Sequence, residues 1–410
     1  MARLKILHTA DFHLGAGLRG AEPNSIVAQR RDSDFIKQLM RIRDLVINNE
    51  CDFLVISGDV FHSLRPSGLL LNEFSKFVAS LAENDVYVLV TAGNHDQPRT
   101  SRTEAYLKAI YEARAPRFYY FNKPGSIILR GSRSGRAVKF ISLPYFPIAG
   151  MEEQEYVKLI DDALDSFIKD GGNYDYLVVS AHFHVEGAQV SSSAGYLPIF
   201  DVRVPKSVFS KSDISYAALG HIHRYQELKR SIVYSGSIER MNFGEEDEDK
   251  GVVLVEEVGG DLEYRFEELP CRPLVTLPRE KYGFSEDVFD LTDALSPTRK
   301  LVEVLRSTRI PEESIVRILV KLPYGRGIDR SEIAKVMREK NVMHWVIDLV
   351  RARVSDVHIR RSFTSIRDAF REYVEGILAK KYLPSISKEL IELMLAEGLK
   401  IIESLERGER

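Results

Sequence analysis

Five short apolar runs in the first 270 residues each end abruptly in a polar cluster that contains Asp, Asn or His. They are Lys5 to Thr9 ahead of Asp11, Phe53 to Ser57 ahead of Gly58-Asp59, Val86 to Thr91 ahead of Gly93-Asn94-His95-Asp96, Tyr176 to Ser180 ahead of His182, and Ile214 to Leu219 ahead of Gly220-His221-Ile222-His223. Runs this short, rich in β-branched residues and followed by turn chemistry, predict buried strands. Helical periodicity around Phe35 to Asn48 and Leu70 to Glu83 separates the first three, so the chain opens strand, helix, strand, helix, strand. Such an alternation predicts a parallel sheet, and open α/β sheets collect ligands at the carboxyl edge of their strands, where all five clusters fall.

Further strands with hairpin turns are expected over Ser126 to Leu129, Val138 to Leu143, Ser231 to Tyr234, Gly251 to Val258 and Leu262 to Leu269. The predicted fold is α/β, a two-sheet sandwich flanked by helices. Pro270-Cys271-Arg272-Pro273 punctuates the chain. After it the pattern reads strand (Leu274 to Leu277), helix (Asp293 to Leu305), strand (Ile315 to Leu322), helix (Arg330 to Glu339), strand (Trp345 to Ala352), a small α/β domain. From about Ser362 the chain turns helical, interrupted by Pro384, and Ser387 to Leu405 carries a broad apolar face that needs a partner surface. Gly398 in its middle costs about 1 kcal/mol of helix propensity. Domains are therefore expected at 1–270, 271–355 and 356–410.

With 44% hydrophobic and 29% charged residues in 410, the composition excludes a disordered chain and leaves room for two or three packed domains. Only two cysteines, Cys51 and Cys271, stand far apart, which excludes a disulfide framework or a Cys-type zinc site. The first apolar run meets Asp11 too early for a secretory signal, and no later stretch suits a membrane span, so a cytoplasmic protein is expected. Net charge is −3, and residues 271–410 carry 26 Lys plus Arg against 22 Asp plus Glu, which leaves −7 for residues 1–270. An acidic first part repels nucleic acid unless divalent cations and basic loops offset it.

The clusters supply donors for such cations. A mixed Asp, Asn and His set suits Mn²⁺ better than Mg²⁺, because imidazole favours transition metals. Two ions about 3.5–4 Å apart can clamp an in-line phosphoryl displacement, and Asp59, in the turn after Gly58, is the candidate bridge. Each cluster alone has a bland reading: Asp11-x-His13 as a turn carboxylate beside a surface imidazole, His221-x-His223 as a solvated edge. Their joint order, each after a strand, favours metal binding.

Asp11-x-His13, Gly58-Asp59-x-x-His62, Gly93-Asn94-His95-Asp96, His182 and Gly220-His221-x-His223 resemble the five motifs of the calcineurin-like metallophosphoesterases. Asp11-Phe12-His13-Leu14-Gly15, Phe61-His62-x-x-Arg65-Pro66-Ser67 and Gly236-Ser237-Ile238-Glu239-Arg240-Met241-Asn242-Phe243-Gly244-Glu245 resemble more narrowly the DNA double-strand break repair nucleases, the Mre-type subunit of archaea and eukaryotes and the bacterial SbcD type. The resemblance covers the first 270 residues closely and the rest in architecture only. It implies one ion held by Asp11, His13, Asp59 and His223 and another by Asp59, Asn94, His182 and His221, two Mn²⁺ per subunit. It places His95 at the scissile phosphate as proton donor or charge stabiliser, a task suited to imidazole near neutral pH. His62 orients substrate or His95, and Asp96 anchors the ligand loop or pairs with His95. His184, two positions beyond His182, is the competing ligand candidate; His8, His344 and His358 read as structural.

The function implied is a manganese-dependent nuclease, a 3′ to 5′ exonuclease on duplex ends and a single-strand endonuclease. Its expected partners are duplex and single-stranded DNA, an SMC-like coiled-coil ATPase of the Rad/SbcC type bound through the terminal helices, and a second copy contacted through the helices near Leu70 to Glu83 and Arg102 to Glu112. No membrane partner is expected, and in a prokaryote the complex is expected at the nucleoid. Arg19, Arg65, Arg99, Arg102 and Lys206 are candidate phosphate contacts. The alternatives are a phosphatase acting on a phosphomonoester or phosphoprotein with the same core, and a scaffold with vestigial metals, which the filled ligand positions disfavour.

Overall fold

The computed structural model describes residues 2–97, 105–147, 150–190, 202–322, 326–350, 366–375 and 387–406. They fall into two compact units, Met1–Val350 and Arg351–Arg410.

The opening alternation forms β1 (Lys5–Thr9), α1 (Ile26–Asn48), β2 (Phe53–Ile56), α2 (Gly68–Glu83), β3 (Tyr87–Thr91), α3 (Tyr106–Glu112) and β4 (Phe118–Phe121). The four strands run parallel, with Ile6 opposite Phe53, Phe53 opposite Tyr87 and Val88 opposite Phe118. Their runs are continuously apolar because both faces are covered. Leu7, Leu54, Ile56 and Val90 pack under Phe35, Leu39 and Ile42 of α1 and Phe74 and Val78 of α2. Ile6, Phe53, Val55 and Leu89 point the other way, onto Val138, Phe140, Val178 and Ala218 of a second sheet.

That second sheet is built from β5 (Gly125–Arg130), β6 (Ala137–Leu143), β7 (Tyr176–His182), β10 (Tyr216–Gly220), β11 (Gln226–Lys229) and β12 (Ile232–Tyr234). A two-residue pair, β8 (His184–Val185) with β9 (Arg203–Val204), lies apart from it. β13 (Gly251–Val258) and β14 (Asp261–Glu268) return to the first sheet beside β1, giving the orders β14-β13-β1-β2-β3-β4 and β11-β12-β10-β7-β6-β5. The outer face of the second sheet is covered by α4 (Glu153–Lys169) through Tyr156, Ile160 and Leu164. The molecule is thus the α/β two-sheet sandwich flanked by helices that the pattern predicts.

Beyond the short strands β8, β9 and β11, the sandwich elements that escape the pattern are α4, β4 and the first nine residues of α1, which starts at Ile26 behind a Ser25 cap rather than near Phe35. The early turns of α1 bury Arg31 and Asp34 through ions instead of apolar contacts, so no hydrophobic stripe marks them. Arg272 grips Asp34 at 2.6 and 2.7 Å, and Arg31 lies 3.7 Å from Glu239. In α4 the buried stripe is a single residue wide.

Residues 274–349 form β15 (Leu274–Leu277), β16 (Phe289–Asp290), α5 (Pro297–Ser307), β17 (Ile315–Lys321), α6 (Arg330–Glu339) and β18 (His344–Leu349). β17 pairs in parallel with the other three strands. This region has its own core, centred on Val275, Leu301, Val316, Ile318, Ile333 and Val336. In the second unit, α7 (Ile366–Glu372) packs on α8 (Lys388–Glu406). There Gly398 lies so close to the Phe370 ring that a Cβ would come within 2.2 Å of it, which accounts for a residue of poor helix propensity in mid-helix. Among the described residues no helix is long and apolar enough to cross a membrane.

The two sheets are also joined by hydroxyls just below the strand ends. Ser57 donates to the Ala218 carbonyl at 2.9 Å, Ser57 and Ser180 are 3.0 Å apart, Thr91 donates to Ser180 at 2.6 Å, and Ser142 lies 2.8 Å from Thr91. Each hydroxyl has one proton, so the chain runs one way, Ser142 to Thr91 to Ser180 to Ser57. Ser180→Ala leaves the Thr91 donor without its acceptor and deprives Ser57 of a donor. It is expected to lower stability by about 1–3 kcal/mol in urea unfolding; an unchanged midpoint would show that the seam contributes nothing.

Candidate metal centre

β1, β2 and β3 in one sheet and β7 and β10 in the other all deliver their C-terminal ends to the same edge of the sandwich. Asp11 and His13 follow β1, Asp59 and His62 follow β2, Asn94 and His95 follow β3, His182 ends β7, and His221 and His223 follow β10. Four of these residues hold left-handed backbone: Asp11 at φ 52°, His13 at 45°, Asp59 at 54° and His221 at 94°. Side chains with a Cβ adopt that region at a cost, and such residues cluster where the surroundings over-determine them. Here the loops after β1 and β2 are zipped together: Asp11 N donates to Gly58 O at 2.9 Å, His13 N to Asp59 O at 2.9 Å and Leu14 N to Val60 O at 3.0 Å. Gly93 lets the third loop approach, since a Cβ there would stand 2.1 Å from Asp59 Oδ1. Asp96 clamps both loops, its carboxylate accepting from Gly93 N at 3.0 Å and Val60 N at 3.3 Å. Burial and the neighbouring Asp59 push that carboxyl up to about 6.

All seven residues expected as ligands meet. Asp59 Oδ2 is 3.5 Å from His13 Nε2 and 3.5 Å from His182 Nε2, a single oxygen between two rings. His13 Nε2 and His223 Nε2 are 3.1 Å apart, and Asn94 Oδ1 is 3.1 Å from His182 Nε2 and 3.0 Å from His221 Nδ1. Asp11 accepts the His221 amide at 3.0 Å, and its carboxylate lies within 4.8 Å of donor atoms of His13 and His223 on one side and of Asp59 and His182 on the other.

The rings are oriented from behind. His182 Nδ1 donates to the Ser57 carbonyl at 2.7 Å, so its Nε2 faces Asp59 and Asn94. His223 Nδ1 donates to Glu245 at 3.0 Å, so its Nε2 faces His13. This is the arrangement by which an outer hydrogen bond fixes the tautomer and aim of a ligating imidazole. His95 Nδ1 likewise donates to the His62 carbonyl at 2.7 Å, and its ring stacks on that of His62 at 5.0 Å between centroids. His62 Nδ1 in turn sits 3.4 Å from His13 Nδ1.

The electrostatics show a pocket short of positive charge. Burial raises the Asp11 carboxyl. Burial pushes Asp59 up as well, but the charge and hydrogen bond of His182 outweigh it and hold the group well below the usual range, while burial keeps the His13 ring itself far below the usual imidazole range. Burial pulls His182 down, yet the charge and hydrogen bond of Asp59 and the charge of Asp11 lift it to about 9. Two buried carboxylates thus draw a proton onto a ring whose Nε2 points at them, and a cation can displace that proton. Two carboxylates, one amide oxygen and four imidazoles converging on one small volume fit divalent transition metals.

Glu245 is the residue to which the sequence alone gives no role. It stands in an acidic loop, yet its side chain is 1% exposed. The charges and hydrogen bonds of Lys250 and His223 overcome burial and hold it far below the usual carboxylate range. The signal available in the sequence is the Asn242-Phe243-Gly244-Glu245 string, which leads into the acidic loop but names no partner. His184 lies in β8 beside Arg203, outside every described cluster of possible metal donors. His8 is fully buried against the Tyr216 hydroxyl at 2.9 Å and burial takes it down to about 3, a neutral core ring. His344 donates to the Arg19 carbonyl at 2.9 Å. Of the candidate phosphate contacts, Arg19 is paired with Asp348 at 2.7 Å, Lys206 reaches the Leu228 carbonyl at 3.4 Å, and Arg65 is exposed. Arg99, Arg102 and His358 lie outside the described residues.

Comparison with known proteins agrees with this geometry. The model of the calcineurin-like phosphoesterase family matches residues 4–225, a span that contains all seven residues and every strand that delivers them. The SbcD subunit of the SbcCD nuclease from Bacillus subtilis is 26% identical over 274 residues, covering 63% of this chain and 67% of the relative. Its namesake from Rhodobacter capsulatus is 26% identical over 330 residues, covering 73% and 78%. Among solved structures, a dimetal phosphatase from Danio rerio aligns with a TM-score of 0.38 at 10% identity, over 65% of this chain and 98% of that one. With more than half of its length matched and the matched strands converging on one donor-rich edge, the chain belongs to the calcineurin-like phosphoesterase family.

Proposed function

We propose that this protein is a manganese-dependent, two-metal DNA nuclease, a 3′ to 5′ exonuclease on duplex ends and a single-strand endonuclease, acting in double-strand break repair with an SMC-like coiled-coil ATPase. The observation that carries the two-metal reading is the Asp59 oxygen 3.5 Å from both His13 and His182, each ring belonging to a different half of the donor set. One Mn²⁺ is assigned to Asp11, His13, Asp59 and His223, the other to Asp59, Asn94, His182 and His221. Bound there, divalent cations supply Lewis acidity to a phosphoryl centre.

The protein's own groups do the rest. His95, with Nδ1 committed to the His62 carbonyl, presents Nε2 as the proton donor to the leaving oxygen. His62 stacks on that ring and keeps its aim. The buried hydrogen bonds behind His182 and His223 leave no rotamer freedom to be frozen when substrate arrives. Substrate class rests on the SbcD relatives, which are named nucleases, and on residues 271–410, an appendage that a phosphatase of small esters does not need. Residues 271–355 are assigned to placing duplex DNA and 356–410 to the ATPase. In the second unit α8 leaves Leu393 56% and Ile401 60% exposed, apolar surface suited to a coiled-coil partner. Exposed Leu69, Tyr106 and Tyr111 on α2 and α3 support a homodimer contact there.

Purified protein with Mn²⁺ is expected to degrade labelled duplex and hairpin DNA, and a chelator to abolish the activity. His95→Asn is expected to reduce cleavage by about 10²–10⁴-fold while still taking up Mn²⁺. Intact DNA alongside hydrolysis of a phosphoprotein or phosphomonoester would establish a phosphatase instead. Deleting residues 375–410 is expected to abolish co-purification with the ATPase and to spare basal cleavage; retained association would place the partner surface elsewhere.

A further inference from the structure

The loop that holds Glu245 also holds the 274–349 domain, with opposite sides of the same few residues. Glu245 ends a short 3-10 turn, Phe243–Glu245, capped by Asn242. Its carboxylate receives His223 Nδ1 at 3.0 Å, Asn242 Nδ2 at 2.8 Å, Met241 N at 3.1 Å and Lys250 Nζ at 2.8 Å. Lys250, with no exposed side-chain surface, also donates to the His223 carbonyl at 2.8 Å, so one buried ion pair grips both the ring and the backbone of His223. A buried pair of this kind is costly to desolvate and is tolerated where every lone pair and proton is used, as here.

The next residues face away. Glu246, 1% exposed, takes Lys281 at 2.8 Å and Arg279 at 3.2 Å, and Asp247 takes the same two cations at 2.6 and 2.9 Å. Phe243 lies under the Arg317 guanidinium, 4.8 Å from the ring centroid, and packs with Leu274, Ile315 and Met343. Arg279, Lys281 and Arg317 all belong to the 274–349 domain. Glu245 and Glu246 are separated by one rigid peptide unit of about 3.8 Å. A shift of the cations that hold Glu246 therefore reaches the Glu245 carboxylate, whose hydrogen bond to His223 weakens steeply with distance and angle.

We infer that Glu245 is a positioning residue for His223, and that the 242–250 loop makes cation affinity at the His223 subsite depend on how the 274–349 domain is seated on Glu246 and Asp247. The inference rests on the two-ion reading above.

Titration of the full chain with Mn²⁺, followed by the electron paramagnetic resonance signal of the free ion, counts ions and affinities without any cleavage. Glu245→Gln, nearly isosteric, is expected to weaken one ion by about 10–100-fold and leave the other unchanged. R279E/K281E, at residues that pair with Glu246 and Asp247 and are not among the proposed ligands, is expected to weaken the same ion several-fold. Adding E246K/D247K restores the pairs with reversed sign and is expected to recover the affinity. Thermal melts run in parallel separate this from general damage, which lowers the midpoint and weakens both ions together. Wild-type affinities in R279E/K281E, or equal weakening of both ions in Glu245→Gln, overturn the inference while leaving the two-ion reading intact. A wild-type chain that takes up no Mn²⁺ overturns that reading first.

Discussion

A carboxylate oxygen of Asp59 stands almost without water between two imidazoles that come from different sheets, and most of the molecule is arranged to keep it there. Taken out of water, an ionised carboxylate needs nearby positive charge. His182 offers it from the end of β7, while His13, which burial holds well below the usual imidazole range, brings a ring from the end of β1, and the two can meet one oxygen only because the sheets are stacked with those ends on one side. The hydroxyl seam of Ser142, Thr91, Ser180 and Ser57 runs directly beneath and fixes that stacking in a layer where apolar contacts alone would permit sliding. Register and site geometry are therefore one constraint seen at two depths.

The backbone is held to the same end. Asp11, His13, Asp59 and His221 adopt left-handed conformations that cost a residue with a Cβ about 1–2 kcal/mol each. The loops compensate by bonding to one another, Asp11 to Gly58, His13 to Asp59, with Asp96 bridging Gly93 and Val60. None of these contacts touches a reacting group. They convert three flexible strand-to-helix connections into one rigid rim from which donors project, the pre-organisation that keeps a site from reorganising when charge arrives.

How much of this is legible in the chain depends on how each residue is held in place. Apolar strands ending in Asp, Asn or His are legible because period and chemistry change at the same position, as at Ser57-Gly58-Asp59. The start of α1 is not, because Arg31 and Asp34 are buried by Glu239 and Arg272, partners about 200 or more residues away that no local pattern can reveal. Arg19 reads as a phosphate contact in sequence, yet it is occupied by Asp348 from β18. The helix α4 shows too narrow a stripe to outweigh its charges. In each case a distant ionic partner or thin apolar face replaces the hydrophobic periodicity on which local reading depends.

Glu245 is the sharpest instance. Glu245 to Asp249 is a run of five acidic residues, a composition that ordinarily stays in water, and the Asp247 side chain is 57% exposed. Glu245 and Glu246 are not solvated; each side chain is 1% exposed, and each is matched by cations or a ring that arrive from elsewhere in the chain. Burying two adjacent carboxylates is unfavourable unless both are paired, and the pairs here lie on opposite sides, Lys250 and His223 against Arg279 and Lys281. A loop that needed only to close the β12 to β13 connection could have kept those charges in water. That it buries them toward two separate groups of side chains is the physical reason to treat it as a strut between the donor-rich edge and the 274–349 region.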